Sequence, residues 1–208
     1  MSQGLIEQYT VPSQTLVIEE EIKHSRFISL LFHCPDAEVM KQVLAQAKID
    51  YPGASHYCYA FIAGMPNNTV DMGSSDDGEP AGSAGRPMLA SLQGVELGEI
   101  GAVVVRYFGG TKLGVGGLVR AYSSGIKQGL SKLTTQVKFI RKAATLKCHY
   151  NQLADVEHVI HKYQGVIVDR QFTETIELDF ELALSHQDNF ILELAAMSQG
   201  SLIPEFAV

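Results

Sequence analysis

Glycine is concentrated in the middle third of the chain, and this distribution constrains the fold more than any other feature. Of the 19 glycines, 15 lie between Gly64 and Gly129. A glycine permits a positive φ and lets another backbone or a ligand approach closely. We therefore expect the unusual chemistry of the protein in this region.

Composition fits a folded protein of one large domain or two small ones. The chain has 208 residues, of which 46% are hydrophobic and 19% charged, and this balance argues against disorder and against a simple coiled coil. No apolar run approaches the roughly 20 residues of a membrane-crossing helix, and the first residues lack the pattern of a secretory signal. A cytoplasmic protein without a membrane partner is expected. The three cysteines include no CxxC pair, so we expect them to be reduced and mostly buried.

The net charge of −7 gives no general attraction to nucleic acid. The first 140 residues carry −2, from 11 basic and 13 acidic side chains, and the remainder carries −5. Any contact with RNA would therefore have to use a local basic patch.

The first part of the chain alternates strand and helix patterns. We predict strands over 15–21 and 26–33 with a turn between them, a helix that begins after Asp36 and ends before Pro52, and a strand over 55–64. That strand should place His56, Cys58, Ala60 and Ile62 on one face. A loop over 73–85, a short helix near Pro87, a strand over 100–107, a second loop over 108–117 and a long helix follow. Residues 134–141 are interpreted as a linker.

The last part has the pattern βαββαβ, which is typical of the ferredoxin-like arrangement. The predicted strands cover 145–149, 166–172, 176–184 and 202–207, and the predicted helices cover 153–164 and 187–199. Ser185 is expected to cap the second helix, and Gly200 to end it in the left-handed conformation.

The first candidate site is an acidic loop that contains Asp76, Asp77 and Glu79. Three carboxylates so close together repel one another unless they are solvated, paired with a cationic side chain or shared by a hard cation. The loop is therefore a solvated turn, a surface or internal pairing site for arginine or lysine, or a magnesium site. The alternating spacing of a calcium loop is absent.

The second candidate site is the glycine-rich loop between the strand over 100–107 and the following helix. A helix N-terminus presents unpaired backbone N–H groups, which together with Lys112 could hold an anion. The sequence matches neither GxxxxGK[ST] nor GxGxxG, which argues against the common nucleotide-binding loops. Close packing of the helix against the sheet is the alternative.

Among the histidines, His56 is the best acid–base candidate, with Ser25 and Arg26 expected near it in the sheet. His158 and His161 are spaced to share a metal but have no evident third ligand, so surface positions are favoured. The aromatic face of the strand over 55–64 could stack bases, although a core face is the more common role. No catalytic residue can be assigned.

Two long motifs, SSDDGEPAGSAGRPML and VVVRYFGGTKLGVGGLVRAY, resemble signature segments of the YigZ/IMPACT family, and SRFISLLFHC and HYCYAF resemble its earlier strands. The resemblance extends over essentially the whole chain. It implies an α+β protein with an IMPACT-like domain over 1–137 of the left-handed βαβ type found in ribosomal proteins and elongation factors. It also implies a ferredoxin-like domain over 138–208, similar to one near the end of elongation factor G. The family's signature positions fall here at Arg26, His56, Asp76, Asp77, Glu79, Arg86, Arg106, Lys112 and the glycines from Gly109 to Gly117.

Eukaryotic IMPACT proteins are linked to translational control, so the resemblance implies a non-catalytic binding protein connected with translation or its regulation. RNA, the ribosome or a translation-related protein is the expected partner, with no cofactor and no metal. The expected contacts with an anion, nucleic acid or partner are Arg26, His56, Arg86, Arg106, Gly109, Gly110, Lys112, Gly114, Gly116, Gly117 and Arg120, beside the acidic loop. The alternative is a magnesium-dependent enzyme acting on a phosphorylated metabolite or nucleotide. The account requires that the acidic and glycine-rich loops come together. A pocket with a bound ion would favour the enzyme, and a convex face would favour the binding protein.

Overall fold

The computed structural model describes residues 8–207 and divides the chain into two compact units, each with its own core. The larger unit is Tyr9–Lys138, and the smaller unit begins at Phe139. Helices and strands are mixed in both, so the protein has a two-unit α+β fold, as predicted.

A five-stranded antiparallel sheet forms the centre of the larger unit, in the order β2-β3-β6-β4-β5. These strands are β2 (Leu16–Ile22), β3 (Ser25–His33), β4 (His56–Ile62), β5 (Met72–Ser75) and β6 (Ile100–Tyr107). Lys23 and His24 have positive φ values, 48° and 63°, and form the two-residue turn between β2 and β3. Strand β6 lies in the middle of the sheet and is buried over all but its last residue, in agreement with its apolar run from Ile100 to Val105.

Helices cover both faces of this sheet: α1 (Ala37–Asp50) on one face, and α2 (Gly85–Gln93) and α3 (Val115–Leu130) on the other. The side chain of Asp36 caps α1 by accepting hydrogen bonds from the backbone of Glu38 and Val39. Cys58, Ala60 and Ile62 of β4 pack under α2 and α3, as the predicted alternation requires. Strands β5 and β6 are parallel, with β4 between them, and α2 connects them.

The interpretation of residues 134–141 as a linker is wrong over most of that range, because Thr135–Phe139 forms strand β7. It pairs with β1 (Gln8–Pro12), whose sequence lies more than 120 residues earlier. A local sequence pattern carries no information on so distant a partner, and the mostly exposed strand lacks an apolar period.

Near this two-stranded sheet, the buried carboxylate of Glu99 accepts hydrogen bonds from the Tyr9 hydroxyl at 2.7 Å and from Lys138 Nζ at 2.5 Å. His33 Nε2 lies 2.5 Å from its other oxygen. Burial by itself raises the pKa of Glu99, but hydrogen bonds from the lysine, tyrosine and histidine hold the pKa below its usual value. The carboxylate therefore fastens three separate segments of the larger unit together.

The smaller unit has the predicted order βαββαβ. Its elements are β8 (Arg141–Cys148), α4 (Leu153–Lys162), β9 (Val166–Phe172), β10 (Ile176–Ala183), α5 (Gln187–Ser198) and β11 (Glu205–Phe206). The antiparallel sheet has the order β11-β8-β10-β9, so the fourth, first, third and second strands lie side by side. This is the ferredoxin-like order.

The two predicted ends of α5 differ in outcome. Ser185 does not cap the helix: it lies in a short 3₁₀ turn, and His186 takes the N-cap position without a side-chain hydrogen bond. Gly200 does adopt a positive φ of 82°, directly after Gln199 at 54°.

All three cysteines are buried and none forms a disulfide, as expected for reduced thiols. Among residues 8–207, no helix combines the length and apolar character needed to cross a membrane.

Candidate functional site

The acidic and glycine-rich loops meet at a cavity of about 400 Å³ in the larger unit. Its polar walls come from His56, Glu79, Arg106 and Lys112. Its apolar walls come from Pro80, Phe108, Leu113, Val115 and Leu118. His56 begins β4 and Arg106 lies opposite it near the end of β6, so the sheet fixes two of the polar groups side by side.

Two of the three acidic-loop carboxylates hold the loop in shape. The Asp76 carboxylate accepts backbone hydrogen bonds from Gly82, Ala84 and Gly85 at 2.7–2.9 Å. Burial raises the pKa of Asp76, but these three hydrogen bonds more than offset that effect and hold the pKa below its ordinary value. The Asp77 carboxylate accepts a hydrogen bond from the backbone of Tyr57 at 2.6 Å.

Glu79 is the carboxylate that reaches the cavity, and it forms a buried ion pair with Arg106. The two side chains are only 3% and 5% exposed. The Tyr122 hydroxyl donates to Glu79 Oε1 at 2.8 Å. Burial is the largest of the effects that raise the pKa of Tyr122, and the nearby Cys58 and Glu79 raise it further. The hydroxyl therefore stays protonated and able to donate. A buried ion pair offsets its desolvation only when further hydrogen bonds satisfy both groups, and Tyr122 contributes one of these.

The guanidinium of Arg106 has further contacts. Its Nη2 donates to Ser25 Oγ at 3.4 Å, and the guanidinium lies 5.4 Å from the ring centroid of Phe27 and 5.5 Å from that of Phe108. Its Nε is buried and has no hydrogen-bond partner in the described part of the chain. Arg106 is therefore held in place by several contacts, while its Nε–H and further N–H donors have no partner among the described residues.

The contacts of His56 define its neutral tautomer. Nδ1 lies 2.8 Å from the carbonyl oxygen of Asp77, which can only accept, so Nδ1 carries the hydrogen. Nε2 lies 3.8 Å from Glu79 Oε1. In the neutral imidazole Nε2 is consequently an acceptor on the wall of the cavity.

The glycine-rich loop passes very close to the β2–β3 turn. A Cβ at Gly109 would lie 1.9 Å from the carbonyl oxygen of His24, so only glycine fits there. Gly109 N–H donates to Ser25 Oγ, which ties the loop to the start of β3. Gly114, with φ +73°, then turns the chain into α3. The first N–H groups of a helix have no preceding helical carbonyl, and Gly114 and Val115 at the start of α3 line the cavity.

Three cationic side chains line this cavity or the depression beside it. Lys112 lines the cavity itself, while Lys23 and Arg120 line a neighbouring depression that shares Leu113 with it. All three are exposed, and none forms an ion pair with another residue in the range 8–207. Phe108 and Val115 are 49% and 58% exposed beside them. We call Lys23, Lys112 and Arg120 together the basic rim.

Several predicted site residues lie elsewhere. Arg26 is not near His56: the alternation of β3 turns it to the α1 face of the sheet, where it pairs with Glu19 at 2.5 Å. Arg86 is exposed in the first turn of α2, and its charge lowers the pKa of Asp76 as a minor contribution. Gly110 is exposed and does not line the cavity, whereas Gly114 does. Gly116 and Gly117 lie in the first turn of α3, and Gly117 lines the neighbouring depression.

The other sequence candidates contribute nothing to this cavity. His158 and His161 are exposed on α4. Tyr57, Tyr59 and Phe61 pack against the core on the α1 face. The described residues contain no group of three histidine, cysteine or acidic side chains arranged for a metal.

Three contributors were missed in the sequence: Tyr122, Phe108 and Lys23. Tyr122 has the spacing of a buried residue in an amphipathic helix. Because a buried tyrosine hydroxyl needs a hydrogen-bond partner, the sequence could have indicated a polar contact at this position. The sequence did not indicate a role for Phe108 or Lys23, since their exposure and their distance from the cavity depend on the fold.

Comparison with known proteins agrees with the motifs. Residues 23–130 match the model described as "Impact N-terminal domain", and residues 146–201 match one described as "Domain of unknown function (DUF1949)". The chain belongs to the IMPACT family. It is 45% identical to an IMPACT family member of Haemophilus influenzae over 94% of this chain and 95% of that protein. It is 43% identical to IMPACT family member YigZ of Escherichia coli, over 95% and 97%.

A solved structure titled "Crystal structure of an hypothetical protein" is similar to the whole chain. Its TM-score is 0.81 at 42% sequence identity, covering 98% of this chain and 99% of that one. The predicted IMPACT family membership is therefore confirmed, over both units.

Proposed function

We propose that the protein is a non-catalytic RNA-binding protein that acts in translation or its regulation, and that RNA is bound at the cavity and basic rim of the larger unit. The observation that carries the proposal concerns one cavity and the depression beside it. Three cations without ion pairs within residues 8–207, an exposed phenylalanine and a helix N-terminus lie there. The connection with translation rests on the resemblance to IMPACT proteins.

The basic rim supplies the local positive charge that a chain of net charge −7 needs for such a partner. Lysine and arginine side chains, together with N–H groups at a helix N-terminus, bind phosphate oxygens. Lys112 and the start of α3 are adjacent along the cavity wall, so one phosphate can be held by both.

An exposed aromatic ring beside these cations favours single-stranded RNA. Unstacked bases of single strands stack on aromatic side chains and on arginine. Phe108 lies over Arg106, which restricts the ring while leaving it 49% exposed.

The arrangement of the carboxylates does not favour the magnesium-dependent enzyme. Asp76 and Asp77 are occupied by backbone N–H groups, and Glu79 is paired with Arg106. Three carboxylates that point to different partners do not form a ligand set for a hard cation.

Binding of single-stranded RNA across a salt series tests the proposal. Three phosphate contacts give a slope of log K against log salt of about −2, or roughly a 20-fold loss of affinity between about 50 and 200 mM salt. Lys112→Ala should make the slope shallower by about 0.7. Lys127→Ala is the matched control, because Lys127 is exposed in the last turn of the same helix. No binding at low salt, or equal slopes for both variants, would overturn the proposal.

A further inference from the structure

The floor of the cavity combines two hydrogen-bond acceptors with the spare N–H donors of one guanidinium. The hydrogen bonds and ion-pair contacts of the Glu79 carboxylate with described residues fall on Oε1, which leaves Oε2 for a ligand. Nε2 of neutral His56 is a second acceptor, 3.8 Å from Oε1. The guanidinium of Arg106 lines the same cavity and has N–H donors beyond those given to Glu79 and Ser25, while its buried Nε has no partner among residues 8–207. A fitting ligand carries neighbouring N–H donors next to an acceptor.

The walls above this floor are apolar and aromatic. Phe108 and Val115 lie at the mouth, and Leu113 and Leu118 line the inside. A volume of about 400 Å³ falls in the range of small-molecule sites. Apolar walls around a few polar groups suit a flat ring with a polar edge, and the basic rim supplies phosphate contacts outside the cavity.

Among the RNA bases, guanine has the matching edge. Its Watson–Crick edge presents two adjacent donors, N1–H and the 2-amino group, next to the O6 acceptor. Adenine, cytosine and uracil each have only one donor group on that edge. A bare ring nitrogen or carbonyl opposite the Glu79 carboxylate would bring two acceptors together. Such a mismatch leaves buried groups unpaired and costs binding free energy.

We propose that the cavity binds one unstacked guanine of single-stranded RNA, with N1–H and the 2-amino group on Glu79 and His56, O6 on Arg106, and the ring against Phe108. This assignment rests on the proposed function, because the RNA backbone reaches the cavity through the basic rim.

The test compares short uridine oligomers that carry a single central guanine, adenine, cytosine or hypoxanthine, by fluorescence anisotropy. Hypoxanthine differs from guanine only by the missing 2-amino group, so the protein is unchanged in this comparison. The guanine oligomer should bind about tenfold or more tightly than each of the other three oligomers, since one good base-edge pair discriminates by that order.

Two protein variants locate the effect. Phe108→Ala should weaken binding of the guanine oligomer by at least about fivefold through lost stacking, and the control Phe172→Ala, at an exposed phenylalanine of the smaller unit, should leave it unchanged. Glu79→Gln should abolish the preference for guanine over hypoxanthine. Should Glu79→Gln fail to fold, the hypoxanthine comparison and Phe108→Ala still decide the question.

The outcomes separate this inference from the proposed function. Equal binding of all oligomers, with the slope still sensitive to Lys112→Ala, overturns the guanine assignment and leaves RNA binding standing. Calorimetric binding of guanosine monophosphate without any oligomer binding supports the guanine cavity and overturns the RNA proposal. Binding of neither probe overturns both.

Discussion

Removing the positive partner of the buried ion pair, in Arg106→Met, should strongly destabilise the larger unit. Glu79 would keep a charge at a position where its side chain is 3% exposed, with only the Tyr122 hydroxyl as a close donor among the described residues. Breaking a buried pair on one side costs about 3–5 kcal/mol, since the remaining charge is uncompensated. Glu79→Gln should cost a similar free energy of unfolding by leaving the guanidinium unpaired.

The double variant, Arg106→Met with Glu79→Gln, distinguishes this explanation from lost packing. With both charges gone, the amide that replaces the Glu79 carboxylate still accepts a hydrogen bond from Tyr122. The double variant should therefore lose less free energy of unfolding than the sum of the single losses. We expect a coupling free energy of about 2–3 kcal/mol between the two sites.

Hydrogen exchange followed by mass spectrometry gives the free energy for peptides of the larger unit alone, which avoids assuming that both units unfold together. Losses below about 1 kcal/mol for each single variant, adding without coupling, would refute the reasoning.

Three further predictions concern the larger unit. Because the pKa of Glu99 is held below its ordinary 4.5, this carboxylate contributes stability that is lost as pH falls below that value. Glu99→Gln should therefore flatten the acid side of a pH–stability profile. An unchanged profile would contradict this prediction. Gly109→Ala should lower the melting temperature sharply, because the added Cβ would clash with the backbone of His24. Gly116→Ala, whose Cβ would have no atom within 4 Å, should be neutral or stabilise by up to about 1 kcal/mol. Equal effects of the two substitutions would exclude the steric explanation. Burial raises the pKa of the Cys58 thiol to about 12, so iodoacetamide should label it at pH 8 only in denaturant, and mass spectrometry would detect any native labelling.

Elements with a strong local pattern could be predicted from the sequence. Strand β6 was predicted with its observed bounds because it is buried on both faces and its first six residues form one apolar run. The order of strands and helices in the smaller unit could be predicted because the apolar period alternates between two and 3.6 residues and glycines mark the ends of elements. Strand β7 was missed since its partner β1 is far away along the chain.

The candidate site was predicted only in part, for a similar reason. Charge repulsion identified the acidic loop as unusual, but not that Asp76 and Asp77 would be occupied by backbone N–H groups while Glu79 would be buried. Sequence spacing within β3 could not show that Arg26 lies on the face opposite His56, because the face of each strand depends on the register.

Photocrosslinking of the intact protein to single-stranded RNA, with the crosslinked peptides identified by mass spectrometry, tests the central claim most directly. The account predicts crosslinks within residues 108–120, at Phe108 above all, and their loss in Lys112→Ala at moderate salt. Crosslinks confined to residues 139–207, or unaffected by that substitution, would contradict it.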